Sequence, residues 1–138
     1  MIRRFDAALA RHQDRAYALL RFVAGFMFTF HGVQKIFGLL TERPSPPVGS
    51  QLWVGGLIEL VCGALVAVGA FTRPAAFLAS GTMAVAYAQF HWSFAFDQNF
   101  FPVVNRGELA ALYAVVLLYI ACRGPGPVSV DGLRKQAG

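Results

Sequence analysis

Apolar residues along the chain fall into four long runs, roughly 17–40, 52–71, 74–92 and 106–122, each bounded by charged or helix-breaking residues. About 20 such residues at ~1.5 Å per residue cross the hydrocarbon core of a bilayer. The pattern therefore predicts an all-α fold: an integral membrane bundle of four transmembrane helices over residues 17–122. Ahead of it, in residues 1–16, Ile2, Phe5, Leu9 and Ala16 can share one side while Arg3, Arg4, Arg11 and Arg15 stay polar. That spacing predicts a short amphipathic helix lying in the headgroup plane. Gly124-Pro125-Gly126-Pro127 stops the last run, and residues 123–138 read as a short polar tail.

Local signals divide the runs. Gly38 and a Pro-rich loop over 41–50 end the first, and Ser50 is placed to cap the second. Thr72-Arg73-Pro74 is a tight turn, so the second and third segments must be antiparallel neighbours. Trp92, Phe94, Phe96, Phe100 and Phe101 fit an aromatic belt at the interface or a short loop dipping into the membrane. Asn105-Arg106-Gly107-Glu108 resembles a capping box opening the fourth segment.

Composition agrees with a single lipid-embedded domain. The 138 residues are 57% hydrophobic and 14% charged, with a mean hydropathy of +0.53. A soluble domain of this size would have to hide too much apolar surface. The net charge of +5 sits at the chain ends and in one turn, which suits anionic headgroups and gives no nucleic-acid groove. Cys62 and Cys122 fall at different depths, too far apart for a disulfide, and are expected to pack as small apolar residues. The first apolar run lacks an A-x-A-like cleavage site, so no cleavable signal peptide is expected.

Charge also sets topology. Threading the segments up and down collects Arg3, Arg4, Arg11, Arg15, Arg73, Arg123, Arg134 and Lys135 on one face, against Lys35, Arg43 and Arg106 on the other. This bias predicts a multi-pass protein with both termini cytoplasmic. Arg21, just inside the first segment, is expected to snorkel back to the cytoplasmic interface.

The same threading brings His31, Gln34, Lys35, Glu59, Gln89, His91, Asn105 and Glu108 to one depth in the outer half. Ionisable groups are costly in hydrocarbon, so such a layer is the candidate site. His31, Gln34 and Lys35 share a helix face by their i,i+3 and i,i+4 spacing. Gly55, Glu59, Gly63 and Ala67 form an i,i+4 row, and its small residues turn Glu59 into the bundle. Lys35 is the cation placed to pair with Glu59 or Glu108, and two histidines that titrate near neutrality stand close by. The layer could exchange protons with a lipid-soluble ligand. Bland roles compete: capping for Asn105 and Glu108, snorkelling for Lys35, interfacial anchoring for His91, and cross-helix bonding for Gln34 and Gln89. A haem held by His31 and His91 is the poorer reading, and neither haem nor metal is expected.

Several of these residues form a familiar series. Arg21-Phe22 through His31-Gly32-Val33-Gln34-Lys35-Ile36-Phe37-Gly38 resembles the opening helix of the DoxX family. Gly55-Gly56-Leu57-Ile58-Glu59 with Gly63 resembles its second helix, and Gly69-Ala70-Phe71-Thr72-Arg73 its central turn. Asn105-Arg106-Gly107-Glu108-Leu109-Ala110 with Tyr113 is similar to the start of its last helix. The basic N-terminal helix and the Pro-rich loop lie outside the resemblance. It implies a four-helix protein of the bacterial inner (plasma) membrane. Through the related DoxD subunit of thiosulfate:quinone oxidoreductase, it also implies a link to quinone and to a soluble or membrane oxidoreductase subunit. The expectation is a quinone-interacting subunit that is not catalytic alone. Glu59 and His31 would exchange protons with the quinone head, helped by Gln34, Lys35, His91, Asn105 and Glu108. The alternative is a non-enzymatic binding, transport or assembly protein. The glycine-rich faces also suit a homo-oligomer.

Overall fold

The computed structural model describes residues 2–137; Met1 and Gly138, at the outer ends of the expected N-terminal helix and tail, lie outside the described residues, as do the side chains of Lys135 and Ala137. All regular elements among the described residues are helical: α1 (Ile2–Ala10), α2 (Gln13–Phe37), α3 (Gln51–Val68), α4 (Thr72–Ala86), α5 (Pro102–Asn105), α6 (Glu108–Arg123) and α7 (Val130–Ala137). A π-helical turn, Tyr87–Trp92, continues α4. α2 packs along α3, α4 packs along α6, and the α3–α4 contact joins the two pairs.

Local chemistry explains most boundaries. Gly38 ends α2 in the left-handed conformation at φ 64° and donates its N–H to the Gln34 carbonyl. The Ser50 hydroxyl accepts from the N–H of Trp53 and starts α3, the cap its sequence position predicts. The expected capping box at Asn105 does not form: α6 begins at Glu108, and Asn105 Oδ1 instead accepts from the Gly107 N–H at 2.8 Å. The N-terminal amphipathic helix is shorter than residues 1–16, because a turn at Arg11-His12 lets α2 begin at Gln13.

α2 and α3 approach to backbone contact. A Cβ on Gly32 would stand 2.3 Å from Leu60 N, and one on Gly25 2.4 Å from Ala67 N. From the other side, a Cβ on Gly63 would stand 2.6 Å from Thr29 N, and one on Gly56 2.6 Å from Lys35 Cβ. The seam runs through Gly56 rather than the expected Gly55, whose Cβ would meet nothing within 4 Å. Small residues give this close crossing where packing between helices must replace the hydrophobic effect.

The buried core is small and central: Phe28, Val66, Ala76, Ala79, Leu117 and Ile120 are almost fully enclosed. Outside it the helices show apolar side chains, among them Leu19, Phe22, Phe26, Met27 and Phe30 on α2. Gln13–Phe37 and Gln51–Val68 are long and apolar enough to cross a membrane, yet only 39% and 33% of their most apolar windows are buried. A helix apolar all round and mostly uncovered faces lipid.

At the end bearing the termini, three charged residues close the bundle by bonding distant helix ends. Arg21 does not snorkel; it is 3% exposed, donating from Nη1 to the carbonyls of Val66 and Ala67 at 2.7 and 2.8 Å and from Nη2 to that of Val128. Arg73 likewise donates to the Ala121 and Cys122 carbonyls at the end of α6. Such cations satisfy orphan carbonyls and the negative end of the helix dipole. Asp131 accepts from the N–H groups of Phe71 and Thr72 and from the Thr72 hydroxyl, each at 3.0 Å, and so caps α4. The expected polar tail is thus a docked helix, with Ser129 capping it through the Gly132 N–H. Both cysteines are free; Cys62 packs in the core, whereas Cys122 is exposed at the end of α6.

The Asp131 anchor carries a pH dependence. Partial burial raises its carboxyl, but the Thr72 and Phe71 N–H groups, the Thr72 hydroxyl and nearby Arg134 outweigh this and hold it below its usual range. A depressed carboxylate stabilises the folded form above its unfolded pKa of ~3.9 and loses that contribution as pH falls through the folded value. α7 should therefore stay docked at neutral pH and release only in acid. Amide exchange of residues 129–134 followed against pH checks this, and Asp131→Ala should release α7 at pH 7 while protection of α2 and α3 is unchanged.

Candidate functional site

The glycine seam positions the first polar pair. With α2 pressed on α3 at Gly56, the Lys35 stem lies across that glycine and its ammonium reaches Glu59, Nζ to Oε1 at 2.5 Å. Glu59 is 3% exposed. The Lys35 side chain keeps 33% of its surface, which moderates its desolvation. Lys35 therefore pairs with Glu59 and not with Glu108.

Only one oxygen of Glu59 is used. Oε2 is buried without a hydrogen-bond partner, and so is the hydroxyl of Tyr113 on α6, a residue 5% exposed. Both residues line the same cavity, about 840 Å³ and partly open, between the far halves of α3 and α4. Its walls are mainly apolar, with Leu52, Ile58, Met83, Val85, Phe90 and Leu109. Buried polar atoms are nearly always paired, so two orphans in residues that line one cavity make it the candidate site for a polar group. The His31 ring stands edge-on to Tyr113 with centroids 6.0 Å apart. Lys35, Arg43 and Arg106 add three cations to the lining, against the single carboxylate.

His91 enters the cavity wall from the π turn. Widened turns of this kind shift side chains out of α-helical register and often occur at functional sites. Its Nδ1 lies 3.2 Å from the Asn105 carbonyl, which can only accept, so Nδ1 carries the hydrogen and Nε2 is left for other partners. Asn105 holds this joint together: Nδ2 donates to the Tyr87 hydroxyl at 3.4 Å and to the Asn99 carbonyl at 2.8 Å. Beyond the π turn, Trp92 packs against Phe94, Phe96 and Phe100 and donates from Nε1 to the Ala95 carbonyl.

The structure thus brings His31, Lys35, Glu59 and His91 to one cavity and leaves the other candidates off it. Gln34 donates to the Leu40 carbonyl and fastens the end of α2. Gln89 bonds Gln51 across α3 and the π turn. Asn105 reaches the cavity only through its carbonyl on His91, and Glu108 is exposed at the start of α6. Depth alone grouped these residues; their direction around each helix separates them. Tyr113 is the functional candidate that the polar-layer reading passed over. Its signal was a hydroxyl within an apolar run, one turn after Ala110 on the buried face of α6; the other tyrosine of that run, Tyr119, is exposed.

Comparison with known proteins agrees with the resemblance found in the sequence. The DoxX family model matches residues 16–92. An uncharacterised protein of Haemophilus influenzae is 38% identical over 126 residues, covering 89% of this chain and 93% of the relative. No solved structure matches the chain. The family and the uncovered apolar helices together make this a protein of the membrane. With more than half of its length under the family model and a full-length relative at this identity, the chain belongs to the DoxX family.

Proposed function

We propose that this protein is a lipid-embedded subunit of a redox assembly whose cavity takes the head of a quinone. The observation that carries the reading is the pair of buried, unpartnered oxygens, Glu59 Oε2 and Tyr113 Oη, at the polar end of an apolar-walled cavity. The residues fit such a group. A quinone is a flat ring with two opposed oxygens on an apolar tail, and a cavity of about 840 Å³ is ample for the head. When bound, a quinone carries paired electrons and protons between membrane partners. Tyr113 would donate to a ring oxygen. Glu59, steadied by Lys35, would accept or hold a proton there. His31 and His91, which also line the cavity, would link the head to the cavity's edge. Electrons would pass to and from a partner oxidoreductase subunit.

The same reading takes α2, α3, α4 with its π turn, and α6 as four membrane spans. The excess of Lys and Arg near the termini supports a cytoplasmic location for both ends, in a bacterial inner membrane. A photoactivatable azidoquinone tests the site. Irradiated in membranes with the protein, it should attach near Ile58, Met83 and Leu109, and unlabelled quinone should suppress the attachment. Labelling confined to lipid-facing side chains such as Val115 and Leu118 would exclude the cavity as the site and leave a non-enzymatic scaffold.

A further inference from the structure

We infer that the cavity discriminates between the two redox forms of its ligand and prefers the reduced, phenolic one. This rests on the quinone reading above and adds the form to it. The decisive atom is Glu59 Oε2. Its partner oxygen is taken by the Lys35 ammonium at 2.5 Å, so Glu59 stands as an ion-paired carboxylate whose free oxygen can only accept. Donors around it are plentiful. Tyr113 has a free hydroxyl, Lys35 has N–H groups beyond the one it gives Glu59, and His31 stands beside Tyr113. These donors serve a ring carbonyl and a ring hydroxyl alike, so they do not separate the two forms.

Glu59 does separate them. A quinone brings two acceptors and no donor; bound here, it leaves the buried carboxylate oxygen as bare as before. A quinol brings O–H groups. One donates to Oε2, and a ring oxygen still accepts from Tyr113, so both orphans are satisfied at once. A hydrogen bond to a buried charged acceptor, set against leaving that acceptor unmet, corresponds to roughly ten- to a hundredfold in affinity. The third buried orphan among the described residues, Arg21 Nε, lies at the opposite end of the bundle, where its guanidinium already caps α3, and takes no part.

The test is a titration of the full-length protein in lipid nanodiscs under argon, using a short-chain ubiquinone analogue and the same compound chemically reduced. Binding is read by isothermal calorimetry, so no enzymatic turnover is needed. The reduced compound should bind at least tenfold more tightly. Tyr113→Phe should weaken both forms while leaving the preference, because Glu59 remains. Equal affinities, or tighter binding of the oxidised form, would overturn the preference and leave the quinone site standing. Failure of either form to bind would overturn the site itself.

Discussion

Gly32→Ala should be the most damaging single-methyl change in this protein. The new Cβ would lie 2.3 Å from Leu60 N and 2.6 Å from the Gly56 carbonyl oxygen. Both are backbone atoms of α3, so no rotamer change can relieve the overlap; α2 and α3 must move apart. Overpacking of a well-filled interior costs about 1–3 kcal/mol where side chains can adjust, and this seam lies at or above the upper figure. Separation also carries Lys35 away from Glu59, because the same seam holds the Lys35 stem on Gly56. The control is Gly81→Ala on α4, where a Cβ meets nothing within 4 Å. There the gain in helix propensity, up to ~1 kcal/mol, should leave stability unchanged or raised. Thermal melting in one detergent distinguishes them: a drop of many degrees for Gly32→Ala and none for Gly81→Ala. Equal melting temperatures would contradict the backbone-contact seam.

Features written in local sequence were legible. Ser50 and Gly38 cap helices through bonds to residues three or four positions away, so the code is contained in a short window. The long apolar runs announced an all-helical fold, and depth brought Lys35 within reach of Glu59 or Glu108 without choosing between them; the crossing of α2 over Gly56 makes the choice. Arg21 was misread because its partners, Val66, Ala67 and Val128, lie 45 or more residues away; nothing near it in sequence offers an acceptor. Asp131 is the same case, being 59 residues from the helix start that it caps. A charged residue near a membrane end has water as its default partner, and only the fold shows that the backbone takes its place.

Azimuth was the second limit. One residue turns a helix by ~100°, so the choice between Gly55 and Gly56 decides which face meets α2. Glu59 lies beside the Gly56–Gly63 seam, not along it, which is why one of its oxygens meets Lys35 while the other is buried without a partner in a residue that lines the cavity. Gln34, Asn105 and Glu108 share the depth of the site and face elsewhere. Tyr113 was hidden by its chemistry: tyrosine is ordinary at membrane interfaces, and only burial of its hydroxyl without a partner marks it.

Glu59→Gln should have the largest effect on ligand binding. The amide keeps the size of the side chain and removes its charge. Lys35, already one-third exposed at 33%, can turn to water, so the fold should survive with a melting shift of a few degrees. Binding should not survive so well, because the ionised acceptor facing the head is gone. The loss of one charge-assisted hydrogen bond corresponds to roughly ten- to a hundredfold in Kd. The direct measurement is calorimetric titration of the reduced ubiquinone analogue into wild-type protein and Glu59→Gln, both in nanodiscs and both confirmed folded by melting. A Kd weakened at least tenfold in the variant is the expected result. Equal affinity in two folded proteins would show that Glu59 is not where the ligand head is held.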